Sequence, residues 1–264
     1  MNPEVPRVAL AVERLSIRFG GLTAVESMSF AVNEGEVVSL IGPNGAGKTS
    51  AFNAITGYLP AASGDIAYRG ERLNGMKPNR IAELGVVRTF QKTSVFAGQT
   101  VLDNILIGLH SRSRQYPIAI LLGFPFVARE EEELVEEAHE ILRFVGINAP
   151  AAELASSLPY GELRLLEVAV ALAAKPTLLL LDEPVSGMNP TETANFMKTL
   201  TRIRARDITV LLVEHDMKIV MGVSDRVVCL NQGRIIAEGA PVEIQRNPEV
   251  IRAYLGERYA RAQN

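Results

Sequence analysis

Residues 37–49 read Val-Val-Ser-Leu-Ile-Gly-Pro-Asn-Gly-Ala-Gly-Lys-Thr, and this stretch decides the fold. The apolar run 37–41 predicts a strand. It runs directly into Gly42-Pro43-Asn44-Gly45-Ala46-Gly47-Lys48-Thr49, a phosphate-binding loop pattern that a helix over about 48–56 follows. The glycines let backbone N–H groups turn inward on phosphate oxygens, and the helix N-terminus adds a potential that favours an anion. Lys48 then reaches the terminal phosphates, and Thr49 supplies a hydroxyl ligand for Mg2+. At average residue usage the four fixed positions arise by chance in about 1% of chains of this length. A bland glycine-rich turn would not also require the strand before it and the helix after it. The candidate nucleotide contacts are Gly42, Asn44, Gly45, Ala46, Gly47, Lys48, Thr49 and Ser50.

Upstream, Val8 to Val12, Leu15 to Phe19 and Ser27 to Val32 predict short strands near an Asn-Glu-Gly turn at 33–35, the opening of an antiparallel sheet. Downstream, residues 92–160 lose strand character. Their clearest element is a helix from about Arg129 to Val145, with Leu134, Ala138, Ile141 and Val145 at helical spacing. Glu130 to Glu133 are expected in its first turn, where the helix dipole favours them, and Gly146 is placed to end it. After Gly161 comes an apolar helix to Ala174, then a buried strand from Thr177. A helix from Pro190 with Asn189 as N-cap follows, then a second buried strand at 208–213 and a hairpin around Asn231-Gln232-Gly233.

The strand Leu178-Leu179-Leu180-Leu181 ends in Asp182-Glu183. Two consecutive carboxylates alone mark only the polar end of a strand. Beside a phosphate loop, Asp182 becomes the candidate carboxylate for Mg2+, and Glu183 the group that orients or deprotonates an attacking water. Gln91, after Arg88-Thr89-Phe90, and His215, after Glu214, also fall at strand ends. Each has a mundane reading when taken singly, an exposed glutamine and a helix-start histidine.

The chain has 264 residues, 47% hydrophobic and 22% charged, enough to bury a core in one large domain or two closely joined ones. A net charge of -3 and a pI near 5.8 give no basic field for a polyphosphate backbone, so nucleic acid is not expected as a partner. Cys229 is the sole cysteine and reads as a small buried hydrophobe, which fits a reducing cytosol. Residues 1–15 lack the zones of a signal peptide. The apolar run Ile118 to Ala128 is broken by Gly123 and Pro125 and falls short of the ~20 residues that a membrane span needs. A cytoplasmic chain is expected, and any membrane association must come through a partner.

In order along the chain stand the phosphate loop, Gln91, Leu158-Pro159-Tyr160-Gly161-Glu162, the Asp182-Glu183 strand, Ser186-Gly187-Met188-Asn189 and His215. This set resembles the ATP-binding subunits of ABC transporters over about residues 8–256. The resemblance implies an α/β fold: a P-loop NTPase core with an N-terminal antiparallel β-subdomain (8–91 and 161–240), an inserted helical subdomain (92–160), C-terminal helices (241–256) and a tail (257–264). It also implies roles. Gln91 becomes a glutamine that senses Mg2+ and the permease, residues 158–162 a signature segment, and residues 186–189 a loop that accompanies it. His215 becomes the γ-phosphate switch, and Phe19 an aromatic that stacks on adenine, against the alternative of an ordinary core phenylalanine.

The common signature is Leu-Ser-Gly-Gly-Gln; here Pro159, Tyr160 and Glu162 replace the serine, the first glycine and the glutamine. The serine contact to phosphate is therefore absent, leaving Tyr160, Gly161, Glu162 and the helix start as candidate contacts across a dimer.

The Tyr-Gly signature, Gly187-Met188-Asn189-Pro190 and the ending Ile251-Arg252-Ala253-Tyr254-Leu255-Gly256-Glu257 resemble branched-chain amino acid importers in particular. The implied partners are transmembrane permease subunits, a second ATP-binding subunit, identical or related, and indirectly a solute-binding protein. Residues 118–128 are one candidate permease contact, and local packing is the other reading of them. Urea or another small polar solute stays open as cargo. A soluble P-loop kinase would leave residues 158–162 and His215 unused. A nucleotide-gated assembly factor acting on ribosomes or DNA fits poorly with the acidic pI.

Overall fold

Each residue of β3 (Val37–Ile41), β7 (Leu178–Asp182) and β8 (Thr209–Val213) is buried, as expected for strands covered on both faces. The structure, a computed structural model, describes residues 7–89, 95–110 and 125–261, and of 125–128 and 255–261 the backbone alone. Two units divide the chain. The first takes in residues up to 88, 177–183 and 203 onward; the second takes in 89–176 and 184–202.

In the first unit a six-stranded sheet has the order β10-β9-β3-β8-β7-β6, completed by β6 (Val86–Arg88), β9 (Arg226–Asn231) and β10 (Arg234–Gly239). Its strands are parallel except for β10, which returns antiparallel from β9 through the turn expected at 231–233. A four-stranded antiparallel sheet, β2-β1-β4-β5, comprises β1 (Val8–Phe19), β2 (Leu22–Asn33), β4 (Ser63–Tyr68) and β5 (Glu71–Arg72). Helix α1 (Lys48–Ile55) joins both sheets in one core, with Phe52 packed in a cluster that includes Leu15, Ile17, Leu40, Leu180 and Leu211. A short helix, α2 (Pro78–Glu83), precedes β6.

Residues 8–19 form one strand where the sequence suggested two. Arg14 sits at φ 47 and its N–H donates to Ser29 Oγ at 2.8 Å, so the interruption is a bulge within continuous pairing, not a turn.

The second unit holds α3 (Val101–His110), α4 (Pro125–Val145), α5 (Tyr160–Ala173) and most of α6 (Pro190–Arg204). Helix α4 begins a turn earlier than expected, with proline at its first position. The Glu130–Glu133 run therefore lies in its second turn, with Glu131, Glu132 and Glu133 exposed. Ala138, Ile141 and Val145 are buried as their spacing required, and Gly146 follows at φ 82. The sequence reading grouped α5 with the sheet core. By its contacts α5 belongs with α3 and α4, and Gly108 lets α3 approach where a Cβ would lie 2.9 Å from the Cβ of Ala173. Residues 118–124 of the candidate permease contact lie outside the described residues.

Helices α7 (Met217–Val223), α8 (Pro241–Arg246) and α9 (Pro248–Arg261) complete the first unit. Ile244 and Val250 pack there with Ile41 and Cys229, and burial pushes the Cys229 thiol up to about 12, so it is an inert core residue.

Near the base of β3, Glu36 accepts Arg226 Nε at 2.8 Å and Nη2 at 2.9 Å, and the Asn33 N–H at 2.9 Å. Burial raises the Glu36 pKa, but Arg226 and Asn33 outweigh burial and hold it below its ordinary 4.5. A depressed folded value means that stability from this group is present above 4.5 and lost as pH falls through the lower folded value. Urea denaturation should therefore show wild type more stable than Glu36→Gln at pH 7, with the gap shrinking below pH 4.5. A gap that does not vary with pH would show that the ion pair contributes nothing of this kind.

Candidate nucleotide-binding site

The loop at 42–47 is held in shape by backbone that only glycine adopts without strain. Gly42, Gly45 and Gly47 have φ of 145, 78 and 105. A Cβ on Gly42 would run into the carbonyl of Leu230 on β9, and one on Gly47 would lie 2.5 Å from the Ala24 carbonyl on β2. The β9–β10 turn props the loop from below: Gly233 N–H donates to Ala46 O at 2.9 Å, and Gly233 O accepts from Glu26 N–H at 2.8 Å. Gly47 caps α1 without a side-chain bond, so the first N–H groups of that helix follow straight from the loop. Lys48 is buried and folds back, its Nζ donating to Gly42 O at 2.6 Å and Pro43 O at 3.0 Å. Thr49 is exposed and Ser50 half-buried on the same turn, while Asn44 and Gly45 are exposed and Ala46 is buried.

The carboxylates share this edge of the sheet. Leu40 pairs with Val213, and Val213 pairs with Asp182, so Asp182 stands two strands from β3 and level with its C-terminal end. At ~4.8 Å per strand this separation is about 10 Å between backbones. Asp182 is buried, and its Oδ2 accepts Arg88 Nη2 at 2.7 Å. Its Oδ1 is buried with no hydrogen-bond partner among the described residues. Among those residues no three His, Cys, Asp or Glu side chains cluster as a self-sufficient metal cage.

Glu183 follows in a left-handed conformation, φ 45, with its N–H bonded to Val213 O at 2.9 Å. Non-glycine residues held there are strained, and such strain collects at functional positions. Its Oε1 lies 3.9 Å from His215 Nδ1, which brings together two of the residues singled out in the sequence. Asp216 holds the start of α7 by accepting Lys218 N–H at 2.8 Å, fixing the turn that carries His215. Phe19 ends β1 and is 48% exposed, so it is not a core phenylalanine. Gln91 lies outside the described residues.

Within the second unit, Tyr160 donates its hydroxyl to Ser186 O at 2.9 Å and accepts Arg164 Nη2 at 2.7 Å. Glu192 accepts Gly161 N–H at 3.3 Å through Oε1 and Asn189 N–H at 2.9 Å through Oε2. One carboxylate thus links the start of α5 to the 186–189 loop. Asn189 caps α6 as expected, its Oδ1 accepting the N–H groups of Thr191 and Glu192. Glu162 accepts Asn148 N–H at 3.4 Å.

A family model described as ABC transporter matches residues 25–186, more than half of the chain. The chain belongs to the ABC transporter family. A second model, described as branched-chain amino acid ATP-binding cassette transporter, matches residues 234–260 of this cassette. It is 45% identical over 249 residues to the high-affinity branched-chain amino acid transport ATP-binding protein LivG of Salmonella typhimurium, covering 94% of this chain and 98% of that protein. It is 43% identical to BraF, of the same description, from Pseudomonas aeruginosa, over 95% and 99% of the two chains. Among solved structures, an ATP-binding cassette of an ABC transporter in its ADP conformation superposes with a TM-score of 0.83 at 31% identity, over 94% of this chain and 99% of that one. The fold is that of the ABC ATP-binding cassette, and the cassette binds nucleotide.

Sequence reasoning about this cassette missed three site residues: Arg88, Asn53 and Glu192. For Arg88 a signal existed, since a charge at the end of an otherwise apolar buried strand demands a partner. The reach of Asn53 to Arg88, and of Glu192 to Gly161, depends on tertiary folding and has no local signature. The glycine geometry is testable directly. Gly42→Ala should abolish nucleotide binding in a fluorescence titration and lower the melting temperature. Gly45→Ala, strained but facing open space, should cost only about 1–2 kcal/mol of stability. Equal effects of the two would contradict the role of the Leu230 contact.

Proposed function

We propose that this cassette is the ATP-hydrolysing subunit of an importer of branched-chain amino acids. It works at the cytoplasmic face of the membrane with transmembrane permease subunits, a second identical or related cassette and, indirectly, a solute-binding protein. The near full-length identity to LivG carries this reading. Among the described residues no helix is long and apolar enough to cross a membrane, so the proposed membrane attachment is through the permease.

The donor set fits Mg2+-ATP on this structure's own terms. The loop is shaped where a Cβ would collide, and the unpartnered buried Oδ1 of Asp182 and the exposed Thr49 hydroxyl are hard oxygen donors. Bound Mg2+ would neutralise the charge that spreads over the phosphoryl oxygens in the transition state. In this reading Lys48 leaves the Gly42 and Pro43 carbonyls for the terminal phosphates, with loop amides and the α1 N-terminus around them. Phe19 stacks on adenine with its exposed ring. Thr49 and Asp182 hold the cation, joined by Gln91.

Glu183, held by its strained backbone at the β7 end, orients the attacking water and accepts its proton. His215, on its capped turn beside Glu183, faces the γ-phosphate. Tyr160, Gly161 and Glu162 present the start of α5 to nucleotide held by the other cassette, so that nucleotide state sets the conformation of the pair and, through it, of the permease.

Two measurements test this. Glu183→Gln should bind ATP as wild type does, lose phosphate release by about 100-fold or more, and run as an ATP-dependent dimer in size-exclusion chromatography. Fast turnover by that variant would remove Glu183 from its role. In cells lacking the gene, uptake of labelled leucine should fall and return with the wild-type chain but not with Glu183→Gln. Undiminished leucine uptake would overturn the cargo.

A further inference from the structure

Arg88 closes β6 with a side chain only 7% exposed, against an Asp182 side chain that is fully buried. Its two terminal nitrogens are divided between two partners. Nη2 donates to Asp182 Oδ2 at 2.7 Å, Nη1 donates to Asn53 Oδ1 on α1 at 2.6 Å, and the guanidinium lies 5.5 Å from the centre of the Phe52 ring. Arginine beside a carboxylate commonly engages both oxygens in a parallel fork. Here Asn53 draws the second arm aside, and Asp182 Oδ1 is buried with no hydrogen-bond partner among the described residues. A buried carboxylate oxygen without a donor is costly, and it calls for a partner from outside the protein, an ion or an ordered water.

We propose that Arg88 is a positioning residue. It fixes Asp182 through one oxygen and, restrained by Asn53, reserves Oδ1 for the divalent cation that accompanies the nucleotide. This rests on the reading of Asp182 as a cation ligand. The arrangement differs from a plain buried ion pair in what it requires of the cation. Charge balance alone would be met by lysine. Lysine, however, carries its donors on one flexible ammonium, which reaches either carboxylate oxygen and competes for Oδ1. Removing the Asn53 amide has a related effect, because it takes away the acceptor that holds Arg88 Nη1 away from Oδ1.

The test uses the full chain with Mn2+ as the cation and a non-hydrolysable ATP analogue. Free Mn2+ is followed by electron paramagnetic resonance, and metal-free analogue binding is measured separately in chelator. In both Arg88→Lys and Asn53→Ala the Mn2+ dissociation constant should rise by about tenfold, while metal-free analogue affinity changes by less than a factor of about two. Unchanged Mn2+ affinity in either folded variant overturns the proposal, as does an equal loss of both affinities, the mark of a general packing defect. If Arg88→Lys does not fold, Asn53→Ala decides alone. Asp182→Asn separates the two levels of the argument. Should it leave Mn2+ affinity intact, the reading of Asp182 fails; should it weaken Mn2+ while the other two variants do not, only the role of Arg88 fails.

Discussion

Parallel pairing of three fully buried strands sets everything else in this cassette. Leu40, Val213 and Asp182 share one row of the sheet, and the chain leaves each strand just beyond that row. A phosphate loop, a strained glutamate with its neighbouring aspartate, and a histidine turn consequently emerge along a single edge, where ligands of open α/β sheets bind. Slipping one strand by a residue would turn every side chain to the other face and break the close packing there, and it would draw Asp182 out of this row.

Against this rigid row stand conformations that are unfavourable taken alone. Three glycines adopt positive φ in the loop, and Glu183 adopts it without being glycine. For Gly42, Gly47 and Glu183 the surroundings fix the conformation: the Leu230 and Ala24 carbonyls leave no room for a Cβ at the two glycines, Gly233 bonds the Ala46 carbonyl, and Val213 holds the Glu183 amide. The backbone of the loop is thus shaped by the fold itself, so its amides are held in place by the surrounding strands. In the second unit the same economy of parts recurs, with Glu192 joining Gly161 to Asn189 and Tyr160 joining α5 to Ser186.

Much of this was legible in the residues. The loop pattern, the apolar strand ending in Asp182-Glu183, the Asn189 cap and the 231–233 hairpin are local signals. Local physics dictates them through glycine freedom, continuous apolar runs and capping chemistry. Two kinds of feature escaped. The strand β1 reads as two because the charged pair Glu13-Arg14 interrupts its apolar runs, and only pairing with β2 shows that the strand continues through the bulge. The grouping of α5 with α3 and α4, and the Arg88–Asp182–Asn53 set, arise between segments far apart in sequence, where periodicity carries no information. Helix α4 starts a turn before the expected residue because Pro125, which breaks an apolar run in the sequence, occupies the first helical position.

The central claim is that loop and carboxylate grip one nucleotide tail through one cation. Electron–nuclear double resonance on Mn2+ bound with ATP analogue, in protein carrying carboxyl-13C aspartate, tests it most directly. The spectrum should show phosphorus coupling from the nucleotide together with a carbon coupling that disappears in Asp182→Asn. Phosphorus coupling with no aspartate carbon, unchanged by that substitution, would contradict it.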